Sequence, residues 1–302
     1  MSDLLITILG PTATGKTELA AELAWRLGGE VLSADSRQVF RGMDLGTGKD
    51  LADYRRHGVA IPYHLIDICS PYEEYNAYRF MGDFRAAYAD ITTRHRQPIM
   101  CGGTGMYLDA VIRGYHLPDA PIDPVFRASV ASCSDAELTA RLASFVPLHN
   151  HTDTETRERL VRALEIQEFA SRHPEAYLQL PPMRHRVFGI SFTREVIIAR
   201  IEARLRQRMA DGMTDEVQRL LDQGVPVERM LKFGLEYRHV TLFLTGQCSE
   251  DEMFTNLFTD IRRFAKRQMT WFRRMERLGV PIHWVDGNLP LDEKVDLIIG
   301  SL

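Results

Sequence analysis

The chain has only four cysteines in 302 residues, Cys69, Cys101, Cys133 and Cys248, and no two of them form a C-x-x-C pair. That scatter suggests neither a zinc site nor a disulfide framework, and the thiols are read as reduced. No apolar run approaches the roughly eighteen residues that a membrane span needs. The N-terminus goes directly into a strand and a glycine loop, which leaves no room for a secretory leader, so a cytoplasmic address is expected. Charge of one sign is also missing: 37 Lys and Arg stand against 41 Asp and Glu, a net of −4. This argues against a general nucleic-acid binder, although an average is silent on local patches. There are no repeats and no low-complexity tracts. With 45% hydrophobic and 26% charged residues, what remains is an ordinary globular protein of one large or two modest domains.

Against these absences stands one specific motif. Residues 8–20, ILGPTATGKTELA, fit the phosphate-loop pattern G-x-x-x-x-G-K-[ST] at Gly10, Gly15, Lys16 and Thr17. The preceding LLITIL reads as a buried parallel strand, and the following TELAAELAWRL repeats Leu19, Leu23 and Leu27 four apart, as one helix face does. The loop of Gly10, Pro11, Thr12, Ala13, Thr14, Gly15, Lys16 and Thr17 is therefore expected to hold a diphosphate or longer chain. Backbone N–H groups and the helix N-terminus would surround the anion, Lys16 would reach the far phosphate, and the Thr17 hydroxyl would ligate Mg²⁺.

Strand-like stretches at 4–9, 30–35, 63–68 and 97–103 alternate with helix-like ones at 17–27, 76–96 and 105–112. Such alternation predicts an α/β fold, a parallel sheet flanked by helices. From Tyr115 the texture changes: YHLPDAPIDP is Pro-rich, and the stretch to about Arg186 is helical, polar and strand-free. It reads as an insertion. A strand at 186–192, a long helix from Thr193 to about Asp211 and a late strand at 281–286 then resume the core. The expected division is a core of 1–113 and 187–302 with a smaller helical insertion domain at 114–186.

An ATPase or GTPase would carry an apolar strand ending in a Mg²⁺-binding Asp. Here PIMCGG ends in Gly, and Asp67 in HLIDI is followed by another apolar residue, which weakens a hydrolytic reading. The acid at a strand end is Asp35, at the carboxyl edge where ligands of open α/β sheets bind. It is a candidate general base; an Asp there also serves simply to cap the next turn. Ser36, Arg37 and Gln38 follow with groups suited to phosphate or a base edge. A second glycine turn, Gly102 to Gly105, offers another anion nest, or alternatively a turn in which Thr104 caps a helix. Two basic helices come later. Arg200, Arg204 and Arg208 recur every four residues, as either a solvated stripe or a phosphate clamp. In 261–277 seven Lys and Arg stand against one Glu. Apolar Ile261, Ala265, Phe272 and Met275 suit its buried side, leaving Arg263, Lys266, Arg267, Arg274 and Arg277 for solvent or phosphate.

The segments GPTATGKT, ADSRQVFRGMDLGTGK, CGGTGMYL, RLVRALE and AKRQMTWFR, in this order, resemble the tRNA dimethylallyltransferase family, bacterial type. The match spans nearly the whole chain. The resemblance implies a P-loop NTPase-like fold in which the insertion contacts tRNA. It implies transfer of a dimethylallyl group from dimethylallyl diphosphate to the N6 amine of the adenosine 3′-adjacent to the anticodon, with release of diphosphate and with Mg²⁺ as cofactor. Carried over by motif, Asp35 takes a proton from the amine, while Thr104 and Arg200 steady the departing diphosphate. Asp35, Ser36, Arg37, Gln38 and Thr104, with Glu158, Arg159, Leu160, Val161 and Arg162 of the insertion and also Arg127, match tRNA-contacting positions. The basic helix would add Arg263, Lys266 and Arg267. Phe40 stands where the family usually has Tyr, Met106 where it has Leu, and GLEYR (234–238) where many members read G-Y-[KR]-E. Competing readings are a relative that prenylates free adenine nucleotides, a small-molecule P-loop kinase, and a non-enzymatic RNA-binding switch with a nucleotide ligand. The basic helix and the insertion disfavour the first, and a base at Asp35 would be superfluous in the last.

Overall fold

In the computed structural model, which describes residues 4–115, 117–145, 154–173, 177–178 and 180–302, the chain divides into two compact units. One joins the residues up to Arg113 with Pro181–Leu302, and the other is Gly114–Leu180. The first unit opens with β1 (Leu4–Leu9), α1 (Lys16–Leu27) and β2 (Gly29–Ser33), then a small hairpin of β3 (Arg55–Arg56) and β4 (Val59–Ala60). There follow β5 (Tyr63–His64), α2 (Ala77–Thr93), β6 (Gln97–Gly102) and α3 (Gly105–Ile112). The second unit carries β7 (Leu117–Pro118), α4 (Pro124–Ser129), α5 (Asp135–Phe145), α6 (Arg157–Arg172) and β8 (Tyr177–Leu178). The first resumes with β9 (Arg184–Ser191), α7 (Arg194–Ala210), α8 (Met213–Asp222), α9 (Val227–Met230), α10 (Leu235–Leu244), α11 (Glu250–Arg277), β10 (Ile282–Asp286) and α12 (Leu291–Gly300).

β1 is apolar on both faces because it lies inside a six-stranded sheet of order β10-β9-β1-β6-β2-β5, every pairing parallel. This is the α/β architecture that the alternating pattern predicts, with the P-loop-like fold that the family resemblance implies. Since all strands run the same way, the loops leaving β1, β2 and β6 emerge at one edge. Register sets Leu9 beside Gly102 and Ser33 beside Cys101, so those three loops begin as neighbours. Behind them, Ile201, Leu205, Val217, Tyr237, Leu257 and Ile261 belong to one apolar cluster uniting α7, α8, α10 and α11. The long α11 starts at a reciprocal capping box between Ser249 and Glu252. It buries Met253, Leu257, Ile261, Ala265, Gln268, Phe272 and Met275 at helical spacing.

Three expectations are corrected. The stretch 63–68 pairs with β2 only over Tyr63 and His64. Leu65 and Asp67 take left-handed φ of 67° and 56°, which ends the strand; the bend leads to Cys69, whose N–H donates to the Val39 carbonyl. The insertion, read as strand-free, contains β7 paired antiparallel with β8, which ties together the points where the chain enters and leaves that unit. Its core is Val130, Leu138, Leu142, Leu160 and Leu164. The sheet also resumes earlier than residue 186, because Arg184 already stands opposite Leu4 in β9.

Candidate active site

The phosphate loop depends on backbone shapes that its sequence permits. A Cβ on Gly10 would stand 2.9 Å from Thr14 Oγ1 and 3.2 Å from the Ile190 carbonyl oxygen, so only glycine fits there. Ala13 and Gly15 take positive φ of 63° and 75°, a backbone shape that lets loop N–H groups converge on an anion. Thr14 Oγ1 donates to the Pro11 carbonyl at 2.9 Å, and Lys16 Nζ curls back to the same oxygen at 3.1 Å. Burial pushes the Lys16 ammonium pKa down, with Arg204 adding to the effect against Cys101 and Asp35. A buried ammonium bonded to a neutral carbonyl and to no carboxylate among the described residues is primed for an anion. The Thr17 hydroxyl, half-buried on the first turn of α1, has no hydrogen-bond partner among the described residues. A hard oxygen donor at that place suits Mg²⁺, which takes one or two protein oxygens and completes its shell with phosphates and water.

Asp35 and Thr104 are brought together at the same edge. Gly102 lies so close to β2 that a Cβ would come within 2.3 Å of the Ala34 carbonyl oxygen. The Thr104 N–H donates to that carbonyl at 3.2 Å, and Thr104 Oγ1 accepts the Ser36 N–H at 3.0 Å. Thr104 thus spends its side chain on the Asp35 turn and makes no side-chain cap for α3. Asp35 Oδ1 accepts the Arg37 N–H at 2.9 Å, the ordinary turn-capping role, while Oδ2 makes no hydrogen bond among the described residues. Lys16, Arg37 and Arg204 all lie within reach of its charge. Burial lowers the Arg37 pKa, opposed by Asp35. Gln38 is turned inward: Ser33 Oγ donates to its Oε1 and its Nε2 donates to the Gly48 carbonyl, both at 2.9 Å, so its amide supports the loop and is not displayed to a base.

The Arg stripe of α7 turns inward at Arg204 and Arg208, while Arg200 stays exposed at its start beside the phosphate loop. Arg200 Nε donates to the Ala13 carbonyl at 2.8 Å, placing its guanidinium against the phosphate loop, with the Phe192 ring 4.8 Å from its carbon. Arg204 and Arg208 lie under Gly48, where a Cβ would be 2.2 Å from one and 1.8 Å from the other. Burial, with Arg208 beside it, holds the Arg204 pKa down to about 10. Glu236, in the departure GLEYR, shares this pocket, and burial pushes its carboxyl up against the pull of Arg208 and Arg204.

Three residues here escape sequence reasoning. Glu216 accepts the N–H groups of Asp44, Leu45 and Gly46 at 2.9, 2.8 and 3.1 Å and the Tyr237 hydroxyl at 2.6 Å. Lys49 is fully buried, donating to the Phe40 carbonyl at 2.8 Å, to Asp44 at 2.6 Å and to Asp67. Gln268 joins two loops, with Oε1 accepting the Thr12 N–H and Nε2 donating to the Gly103 carbonyl, both at 2.9 Å. The four cysteines are free thiols, as expected, and burial pushes Cys101 up to about 12.

On α11, Arg263, Lys266 and Arg267 are exposed, opposite the buried stripe. Arg263 is shared with Asp260 at 3.1 Å, and Arg267 lies over Phe264. In the inserted unit the basic residues are more occupied than the sequence suggests. Arg127 clasps Glu165 through two bonds of 3.0 Å, and Arg162 bonds Glu165 at 2.5 Å and the Ala120 carbonyl at 2.7 Å. Leu160 is 1% exposed and belongs to that unit's core, so its side chain seats α6 and offers RNA no surface. Glu158 and Arg159 are exposed, Arg159 pairing with Glu155, and Val161 is half-buried. Among the described residues no helix is long and apolar enough to cross a membrane.

Comparisons with known proteins place the chain in a family. Family models described as IPP transferase and isopentenyl transferase match residues 38–275 and 4–56. The chain is 52% identical to tRNA dimethylallyltransferase 1 of Porphyromonas gingivalis, over 98% of each chain. It is 50% identical to tRNA dimethylallyltransferase 2 of Phocaeicola vulgatus, over 99% of this chain and 97% of that one. The solved structure of the full-length tRNA isopentenylpyrophosphate transferase from Bacillus halodurans is 32% identical, with a TM-score of 0.72 over 99% of this chain and 95% of that chain. With a family model covering most of its length and relatives half-identical from end to end, the chain belongs to the tRNA dimethylallyltransferase family.

Proposed function

We propose that the chain transfers the dimethylallyl group of dimethylallyl diphosphate to the N6 amine of the adenosine 3′-adjacent to the anticodon in tRNA. The donor C1–O bond breaks, an N6–C1 bond forms, the amine proton passes to Asp35, and diphosphate leaves. The observation that carries this reading is the placement of a carboxylate, Asp35, on the turn bonded to Thr104 and beside an intact phosphate loop. β6, next to β1, ends in Gly102 where a nucleotide hydrolase would carry a metal-binding acid. The apparatus therefore suits displacement of a whole diphosphate with base assistance better than attack on a phosphoryl group.

The loop from Gly10 to Thr17 binds the leaving diphosphate, Lys16 and Arg200 balance its charge, and Thr104 orients the Asp35 turn. Thr17 would hold Mg²⁺, which when bound neutralises part of the diphosphate charge. An amine conjugated to adenine is a weak nucleophile, so base and leaving-group stabilisation are both required. The adenosine must first leave its stack, at a cost of a few kcal/mol. The exposed Lys266 and Arg267 of α11 suit the tRNA backbone, and a cytoplasmic address follows from that substrate.

The test is incubation of unmodified tRNA with dimethylallyl diphosphate and Mg²⁺, followed by nucleoside mass analysis. Prenylated adenosine from the anticodon loop is the expected product. Prenylation of free adenine nucleotide in preference to tRNA, or ATP turnover without any prenyl donor, would overturn the assignment in favour of a nucleotide prenyltransferase or a kinase.

A further inference from the structure

Gln268 is the polar member of the buried stripe of α11, between Ala265 and Phe272, and it is 7% exposed. Polar atoms in such a position persist when their hydrogen bonds are satisfied, and both ends of this amide are. Oε1 takes the Thr12 N–H and Nε2 gives to the Gly103 carbonyl, each at 2.9 Å. The approach is so close that a Cβ on Gly103 would stand 2.5 Å from Nε2. One partner lies in the phosphate loop after β1, the other in the turn after β6, one residue before Thr104. Thr104 in turn bonds the residues on either side of Asp35. Gln268 thus spans the distance between the groups that hold the leaving diphosphate and the turn that carries the base. It also withdraws the Thr12 N–H from anion binding, leaving that work to the rest of the loop.

We infer that Gln268 is a positioning residue that sets the separation between donor and base, and that it acts on turnover more than on donor affinity. The inference rests on the prenyl-transfer reading above. A side chain that only fills space would be replaced by one of similar volume without loss. A strut that needs one donor and one acceptor has a different signature. Methionine offers neither, and ionised glutamate offers no donor to the Gly103 carbonyl. Protonated glutamic acid offers both, with its C=O toward Thr12 and its O–H toward Gly103. Misplacement by about 1 Å costs up to roughly 10²-fold in rate.

The experiment measures tRNA prenylation at saturating substrates, binding of inorganic diphosphate, and melting, for wild type, Gln268→Met and Gln268→Glu. Gln268→Met is expected to lose roughly 10–100-fold in kcat while diphosphate affinity stays within about threefold. The activity of Gln268→Glu relative to wild type is expected to rise as pH falls, since protonation restores the two bonds. Unchanged kcat in a folded Gln268→Met, or equal losses in kcat and diphosphate affinity, would overturn the inference. A flat ratio of Gln268→Glu to wild type across pH would do so independently, even were Gln268→Met to unfold. Wild type serves as the control for the reaction itself: its failure to prenylate tRNA would count against the proposed function and would leave the separate pH comparison to be made with whichever acceptor it does prenylate.

Discussion

Thr104 binds the Asp35 turn on both sides, its N–H donating to the Ala34 carbonyl at 3.2 Å and its hydroxyl accepting the Ser36 N–H at 3.0 Å. Asp35 is therefore fixed by backbone bonds and leaves Oδ2 for a substrate. Asp35→Ala is expected to keep donor and tRNA binding and to lose roughly 10²–10⁴-fold in turnover, the range for a general base. Single-turnover prenylation with prebound tRNA measures this. Near-normal turnover would remove Asp35 from the chemistry.

Glu216 fastens the loop that covers Arg204 and Arg208, by taking three backbone N–H groups and the Tyr237 hydroxyl. Glu216→Ala strands four donors in a region that is largely buried, at an expected cost of roughly 3 kcal/mol or more. Tyr237→Phe removes a single bond and should cost about 1 kcal/mol. Denaturant unfolding of the two variants separates these magnitudes, and equal stabilities would refute the role given to Glu216.

Glu165 gives the inserted unit a dependence on acid. Burial opposes its charge, but hydrogen bonds from Arg127, the Asp123 N–H and Arg162 outweigh burial and hold its pKa at about 2, below the ordinary 4.5. A carboxylate depressed in the folded state contributes stability in full above the unfolded value and loses it as pH falls toward the folded one. Protection factors in α4 to α6, taken relative to the intrinsic exchange rate at each pH, should therefore fall between about pH 5 and 2. Glu165→Gln should be less stable at neutral pH and show a weaker change over the same interval. An unchanged pH response in that variant would assign the effect to other groups.

The elements that bear chemistry were legible where backbone geometry admits few residues. Gly10, Gly15 and the Lys16-Thr17 pair mark the phosphate loop because any Cβ at Gly10 meets Thr14 and Ile190. Gly102 and Gly103 mark the second turn for a similar reason, pressed against Ala34 and Gln268. Gln268 itself was legible in principle, since it falls on the stripe of Ile261, Ala265, Phe272 and Met275, yet it reads as one more polar residue beside Arg267. Glu216 carried no local signal: its backbone partners lie 170 to 172 positions away in the chain. Gln38 and Leu160 show the converse, since a motif supplies identity without direction, and both side chains are turned inward.

The basic face of α11 yields the final prediction, and the structure ranks its residues. Arg263 shares its charge with Asp260 at 3.1 Å, whereas Lys266 and Arg267 are exposed and make no ion pair among the described residues. Each phosphate contact that releases counterions contributes about 0.7–0.9 to the slope of log affinity against log salt. Reversing Arg263, Lys266 and Arg267 together to Glu should weaken tRNA binding and flatten that slope, with affinity for dimethylallyl diphosphate kept within about twofold. Arg263→Glu alone should do less than Lys266→Glu or Arg267→Glu, because Asp260 already offsets it. Arg stems also cover apolar surface, so a melting curve must accompany each variant. A triple variant that melts normally and binds tRNA with an unchanged salt slope would make this face ordinary solvated surface and place the phosphate contacts elsewhere.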